Sequence, residues 1–440
     1  MGGEAMGNTT IASVSVHDIR FPTSDSLGGS DAMNPAPDYS APYVELRTNR
    51  DGLAGFGFTF TIGRGSEIVT HMVADLANDL VGREIDDMAA FMAGVLHDVT
   101  QDSALRWLGP EKGVTHLAAA AVLNAVWDLW ARMRAVPLWQ LLVELEPDEL
   151  VGCLAMRHLG DVLTADEAVA MLAERRAGRD HRIEHLRRAG YPAYITSAGW
   201  LGYSDEQVRR LVTEAVEQGW DAFKLKVGQD LQQDQRRVKM VRDLIGDDRK
   251  LMVDANQVWE VPEAIDWINA ISDADLYWVE EPTSPDDIRG HRAIAEAISP
   301  ILVASGEHAH NRIMFKQMLA TGAIGVCQID ICRLASINEN IPVLLMAKKL
   351  NVPVCPHAGG VGLCELVQHL AIFDYIAVSA SLEGRWIEYV DHLHEMFVSP
   401  ARIRNGAYEL PVAAGFNSEM SPEAVALYSY PDGTVWQARS

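Results

Sequence analysis

Between residues 191 and 390 the chain alternates short β-rich runs with amphipathic helical runs, on a repeat of roughly 25–30 residues. The strand candidates are residues 191–197, 222–228, 251–256, 277–281, 301–306, 326–332, 352–357 and 386–390. Periodic helices separate them, for instance residues 204–218 and 232–245. A strand–helix unit repeated this often is the pattern of a closed parallel barrel rather than an open sheet. The predicted barrel domain covers residues 151–398. Its opening part, residues 164–189, is a strongly charged helical stretch with few large apolar positions, read as a connector or solvated face.

The preceding segment has another grammar. Residues 11–21 and 43–47 are β-rich and are separated by a Gly/Ser/Asp/Pro loop, residues 27–40. Helical patterns follow at residues 67–78, 88–98 and 117–134, the last Ala-rich and apolar enough to be buried. Strands followed by helices predict an α+β unit over residues 1–150. The tail, residues 399–440, has no strong period and is expected to pack back on that unit.

Composition removes several classes of function. Lys and Arg number 37 against 61 Asp and Glu, so the net charge of −24 repels phosphate backbones and anionic membranes. No nucleic acid and no membrane is expected as a partner. An anionic substrate would require this field to be reversed locally, by a metal ion or clustered lysines. The five cysteines, Cys153, Cys327, Cys332, Cys355 and Cys364, form no C-x-x-C pair, which argues for a reducing cytoplasm and against a disulfide framework. Residues 1–10 carry no leader pattern, and the apolar stretch 117–131 is interrupted by Asn124 and Asp128 and reads as too short to span a bilayer.

In a parallel barrel the functional groups stand at the C-terminal ends of the strands. Those positions here are Lys224 and Lys226, Asp254 and Asn256, Glu280 and Glu281, Glu307 and His308, Asp330, His357, and Glu388. Asp254, Glu280 and Glu307 come from three successive strands and make a hard-oxygen set suited to Mg²⁺ rather than zinc. Lys224 and Lys226 lie two apart on one strand and so share a face. Side by side and partly desolvated, two ammonium groups are expected to hold at least one of the pair below the ordinary lysine value, as a usable base. Asp330 precedes His357 by one strand and is placed to fix its tautomer.

These residues carry a resemblance. Lys224-Leu225-Lys226, Val253-Asp254-Ala255-Asn256, Val279-Glu280-Glu281-Pro282, Gly306-Glu307 and the pair Asp330 and His357 resemble the mandelate racemase group of the enolase superfamily. More narrowly, Arg20-Phe21-Pro22-Thr23-Ser24 with Asp31-Ala32-Met33-Asn34 and Pro37-Asp38-Tyr39-Ser40, residues 191–204 and residues 356–370 look like L-fuconate dehydratases. The resemblance implies a (β/α)7β TIM-like barrel under an N-terminal α+β capping domain, Mg²⁺ on a substrate carboxylate, a small sugar-acid substrate and a homo-oligomer. It implies dehydration of L-fuconate, with Lys226 taking the C2 proton, Lys224 as its neighbour, His357 held by Asp330 as general acid, and Glu388 beside the enediolate. It further implies that Gly29, Ser30, Asp31 and Tyr39 of a lid loop, with Asn256, contact substrate. A dehydratase of another aldonic acid, or a racemase, would share this machinery.

Two rivals remain. His181-Arg182-Ile183-Glu184-His185 matches an H-x-x-E-H zinc-peptidase pattern, though among arginines rather than on an apolar floor. A barrel that binds without catalysis is expected to have lost one of Asp254, Glu280, Glu307, Lys226 or His357, and all are present. His308 and His310 have an uninformative spacing, and residues 358–362 read as a tight turn beside His357 rather than a phosphate cradle.

Overall fold

The computed structural model describes residues 8–109 and 111–439, so most of the segment read for a leader lies outside the described residues. Strands β1 (Ile11–Arg20), β2 (Ser40–Thr48) and β3 (Ala54–Phe58) form an antiparallel sheet. The sequence pattern missed β3 because Gly55 and Gly57 dilute its β-propensity. The glycines have a packing reason: a Cβ at Gly55 would collide with the Ala125 carbonyl, and one at Gly57 with that of Ala121. The Ala-rich helix Gly113–Met133 therefore lies directly on the strand.

That helix corrects one expectation. At 21 residues it is long and apolar enough to cross a membrane, but 89% of its most apolar window is buried inside the fold. Its polar residues are stitched to the cap and tail: Asn124 donates to the Phe58 carbonyl at 3.0 Å, while Asp128 accepts from the amides of Phe56 (3.0 Å) and Phe416 (2.6 Å).

The barrel strands are β4 (Tyr191–Ile195), β5 (Ala222–Lys226), β6 (Lys250–Asp254), β7 (Leu276–Glu280), β8 (Leu302–Ser305), β9 (Val326–Cys327) and β10 (Ile387–Tyr389). They run parallel with helices between them, and β10 pairs with β4 to close the ring. Between β9 and β10 the predicted strand 352–357 keeps its ladder without being a regular strand. Cys327 N–H donates to the Pro353 carbonyl (2.9 Å), Cys355 N–H to Cys327 (2.9 Å), His357 N–H to Ile329 (3.0 Å) and Glu388 N–H to Pro356 (3.3 Å). Pro353 and Pro356 have no N–H to give, which explains the irregularity. β9 is shorter than predicted because the Asp330 carboxylate accepts from the amides of Cys332 (2.6 Å) and Arg333 (2.7 Å) and turns the chain. The result is a (β/α)7β barrel under an α+β cap.

Side-chain alternation then sets the interior. Tyr194, Ala222, Met252, Trp278, Ala304, Val326 and Cys355 form one apolar ring, with Trp386 against it. Two residues further along each strand stand Thr196, Lys224, Asp254, Glu280, Gly306, Gln328, His357 and Glu388. The apolar ring is the floor, and the polar ring lies above it.

The charged stretch 164–189 is two helices, Ala165–Arg175 and Arg179–Ala189, separated at Gly178 with φ of 75°. In the tail, β11 (Ile403–Arg404) and β12 (Ala407–Tyr408) make a hairpin that adds antiparallel to β4, a feature the sequence did not reveal. Further on the tail meets the cap, where Tyr430 N–H donates to Asp18 (2.7 Å) and the Trp436 indole to Arg20 (3.0 Å).

Candidate active site

The polar ring is held by ion pairs. Lys224, 2% exposed, donates from Nζ to Glu280 Oε1 at 2.5 Å and lies 2.8 Å from Glu388 and 3.4 Å from Asp254. Lys226 donates to Asp254 Oδ2 at 2.6 Å and to Asn256 Oδ1 at 3.0 Å. The expectation that mutual repulsion lowers a lysine pKa is overturned. Burial does press both downward, but Asp254 beside Lys226, and Glu280 and Glu388 beside Lys224, outweigh it and hold both raised. The pair taken alone repels; here it sits among more carboxylates than ammoniums.

Asp254, Glu280 and Glu307 each bring an oxygen within 4.8 Å of the others, and all three are buried. Glu280 is steadied by the Trp278 indole at 3.2 Å, and Asp254 by the Asn256 amide at 2.9 Å. Gly306, with φ of 146°, turns the chain so that Glu307 joins them. Burial raises Glu280 and Glu307, whereas Asp254 is held low by Lys226 and Lys224 against its own burial. Among the described residues Glu307 Oε2 is buried with no hydrogen-bond partner, and His357 Nε2 faces it at 3.5 Å. An all-oxygen donor set of three buried, convergent carboxylates fits a small hard cation.

The dyad forms as expected in outline. His357 Nδ1 lies 2.7 Å from Asp330 Oδ2, and Nε2 faces Glu307 at 3.5 Å and Glu388 at 3.9 Å. Burial opposes its charge, yet Glu307, the Asp330 hydrogen bond and Glu388 push His357 up to about 10. Glu388 accepts from Thr196 Oγ1 (2.5 Å) and the Ala358 amide (2.8 Å); Lys224 and His357 hold it down at about 2 despite burial.

Above this ring lies a cavity of about 380 Å³. Lid residues Gly29, Asp31 and Tyr39 line it from the cap, and Lys226, Asn256, Glu307, Asp330, His357 and Glu388 from the barrel. Lys224, Asp254 and Glu280 are not on its wall. Ser30, expected to touch substrate, does not line it either: its Oγ accepts from the Gly202 amide (2.9 Å) and its carbonyl from Leu201 (3.1 Å). It anchors the lid to the loop after β4. The lid's far end is pinned by Thr23, whose hydroxyl donates to Pro37 (2.7 Å) and accepts from the Tyr39 amide (3.0 Å).

Gly29 makes this lid geometry possible. Its φ is 79°, and a Cβ there would collide with the Tyr39 phenol. Tyr39 is itself wedged edge-on between Phe60 and His392, each at 5.1 Å. The Gly29→Ala protein is expected to lose about 100-fold in kcat/KM through misplaced lid groups, with a melting temperature near that of wild type. Steady-state kinetics beside thermal melts check this; an unchanged kcat/KM would show that the lid tolerates displacement.

Several cavity residues escaped the sequence reading. Thr196, just past β4, holds the ring position that Lys224 holds on β5, and was findable from that alternation. His308, set aside on spacing, reaches the cavity wall, with Nδ1 2.9 Å from Glu281 and 2.7 Å from Gln257 Nε2. Trp200, Phe60 and Arg333 also line the cavity, and only tertiary structure brings them there.

The zinc-peptidase reading finds no support. His185 packs against Tyr375 at 5.9 Å, and among the described residues neither group of convergent metal-binding side chains includes His181 or His185. The glycines at 360 and 362 are filled by phenylalanines: a Cβ at Gly360 would meet Phe60, and one at Gly362 would meet Phe58 and Phe397. They cradle no anion.

A closed barrel whose strand ends set a carboxylate triad between a lysine and an Asp–His dyad, roofed by an α+β cap, defines a class of metal-assisted acid–base proteins. Family models agree on both parts. The mandelate racemase / muconate lactonizing enzyme N-terminal domain matches residues 34–143, and the enolase C-terminal domain-like model matches residues 207–424. The chain belongs to the enolase superfamily, in its mandelate racemase group. It is similar to human mitochondrial enolase superfamily member 1, whose crystal structure superposes with a TM-score of 0.97 at 51% identity, covering 99% of each chain. L-galactonate dehydratase from Hypocrea jecorina is 49% identical, over 98% of this chain and 97% of that one. The L-talarate/galactarate dehydratase of Salmonella typhimurium LT2, crystallised with Mg and L-lyxarohydroxamate, shares the fold with a TM-score of 0.74 at 24% identity, over 96% of this chain and 94% of that one. Dehydratases of sugar acids are thus the company this chain keeps.

Proposed function

We propose that the protein dehydrates L-fuconate to 2-keto-3-deoxy-L-fuconate and water, with Mg²⁺ held by Asp254, Glu280 and Glu307. The observation that carries this reading is that Lys226 and His357 face one cavity from the second and seventh barrel positions, with the carboxylates between them. Mg²⁺ there would supply positive charge for a substrate carboxylate and its enediolate, and would draw on the carboxylate that otherwise holds the Lys226 proton.

The residues divide the remaining work. Lys226 Nζ takes the C2 proton, and the electron pair enters the carboxylate as an enediolate. Glu388, fixed by Thr196 and the Ala358 amide, borders that group. His357, oriented by Asp330, gives its proton to the 3-hydroxyl, so the C3–O bond breaks and water leaves. The resulting enol tautomerises to the 2-keto acid. Lys224 works from beneath, fixing Glu280 and Glu388.

Support for L-fuconate in particular is the likeness of the lid, of residues 191–204 and of residues 356–370 to L-fuconate dehydratases. Met33, Phe60, Ile62 and Trp200 add apolar wall on which a C6 methyl could rest. A second reading, L-galactonate, is favoured by the relative named for that activity. The two acids differ by one hydroxyl at C6, which an apolar wall rejects only weakly, by up to about 100-fold. The five free, buried cysteines suit a reducing cytoplasm.

The test is a keto-acid assay of the Mg²⁺-loaded protein against a panel of aldonic acids. The expected result is strongest turnover of L-fuconate, turnover of L-galactonate within about 100-fold of it, and loss of both with EDTA. Turnover that survives complete metal removal, or a panel in which neither acid reacts, would overturn the proposal.

A further inference from the structure

The polar ring holds one side chain whose hydrogen bonds are unaccounted for. Thr196 is spent on Glu388, Lys224 on Glu280, Asp254 on Lys226, Glu280 on Trp278, His357 on Asp330 and Glu388 on Ala358. Gln328 is 0% exposed, yet among the described residues neither Nε2 nor Oε1 has a partner. Native structures seldom leave a buried amide in this state.

Its place in the register shows where it points. Gln328 follows Val326 of the apolar ring by two residues, and the ladder stays regular through this point: Gln328 N–H donates to Ser305 at 3.0 Å and His357 N–H to Ile329 at 3.0 Å. The amide therefore projects into the barrel in the layer of the metal carboxylates. Its neighbour in that layer is Gly306, which has no side chain and could not carry one, because a Cβ would collide with the Gln328 carbonyl. Gly306 also delivers Glu307, whose buried Oε2 has no hydrogen-bond partner among the described residues and faces the His357 Nε2 at 3.5 Å. Gln328 Nε2 and Oε1 offer a donor and an acceptor, two of the two to four polar partners that a trapped water requires.

We propose that Gln328 is a positioning residue for the cation site, its amide setting the Glu307 carboxylate, through one buried water, in the orientation that receives the metal. This rests on the reading of Asp254, Glu280 and Glu307 as metal ligands. It does not depend on the substrate, so failure of the L-fuconate assay leaves it standing.

The test compares wild type with Gln328→Met, which keeps the length of the side chain without its hydrogen bonds, and with Gln328→Asn, which draws the amide back by one carbon. Mg²⁺ is titrated calorimetrically into EDTA-stripped, dialysed protein, and the stripped proteins are melted. The Met variant is expected to bind Mg²⁺ about tenfold or more weakly, while its metal-free melting temperature stays within a few degrees of wild type, since Met keeps the volume of the side chain. The Asn variant is expected to fall between the two in affinity. A residue that only packs would leave the affinity of the Met variant at the wild-type value, because Met fills the same space. Wild-type Mg²⁺ affinity in the Met variant overturns the proposal. If that variant does not fold, wild-type affinity in the Asn variant does so. Wild-type protein that binds no Mg²⁺ overturns the cation site and this inference together.

Discussion

Lys226→Ala protein, folded and loaded with Mg²⁺, is expected to lose at least about 10³-fold in dehydration and to stop exchanging the substrate C2 proton with D₂O. His357→Asn protein is expected to lose dehydration by a similar factor, but to keep C2 exchange. The difference follows from placement. Lys226 and His357 approach the cavity from opposite arcs of the barrel, so a substrate between them meets the base at C2 and the acid at the leaving hydroxyl. Removing the acid leaves deprotonation and reprotonation at C2 intact, because the lysine that takes the proton can return it. Removing the base stops both. Asn at 357 can still hydrogen-bond but supplies no proton at neutral pH, whereas Glu307, the Asp330 hydrogen bond and Glu388 raise the native imidazole against its burial. NMR of recovered substrate after incubation in D₂O reads exchange, and the keto-acid assay reads elimination. Loss of exchange in the His357 variant would move the base to that side; a fully active Lys226 variant would remove the lysine from the chemistry.

The residues proposed for these roles are largely legible in the sequence, because barrel strands alternate with period two and Lys226, Asp254, Glu280 and His357 fall at strand ends. What stayed illegible depended on proximity between distant segments. β3 is hidden by Gly55 and Gly57, which make sense only once helix Gly113–Met133 is seen lying on them. Ser30 looked like any polar lid residue until Gly202, 172 positions away, appeared as its partner. The lysine pKa reading failed for the same reason: the spacing of Lys224 and Lys226 shows their repulsion, while the carboxylates that reverse it arrive from β6, β7 and β10. His308 carried no signal in its spacing, because its partner Glu281 sits on the neighbouring strand end.

Lys224 has a consequence that separates architecture from catalysis. It is enclosed by Glu280, Glu388 and Asp254, all 1% exposed or less, and among the described residues it is the only cation within 4.0 Å of Glu280. Replacing it with Met keeps the volume and leaves buried Glu280 without its counter-charge, a change that costs about 3–5 kcal/mol in comparable buried pairs. For a chain of this length that amounts to a melting-temperature drop of a few degrees, about one per kcal/mol. Lys224→Met protein stripped of metal is therefore expected to melt that much below stripped wild type at pH 7. The gap should narrow as pH falls toward 5. Without the lysine, buried Glu280, already raised by burial, takes a proton more readily still, so the penalty is full only above that raised value and shrinks as pH falls from there toward the ordinary carboxylate value. Saturating Mg²⁺ should narrow the gap as well, because a divalent cation supplies to the same carboxylates the charge the variant lacks. Thermal melts of both proteins, with EDTA and with Mg²⁺, at pH 7 and pH 5, decide it. A loss of equal size in all four conditions would mean that Lys224 contributes through packing of its aliphatic stem, and that the ion-pair cage around it is incidental to stability.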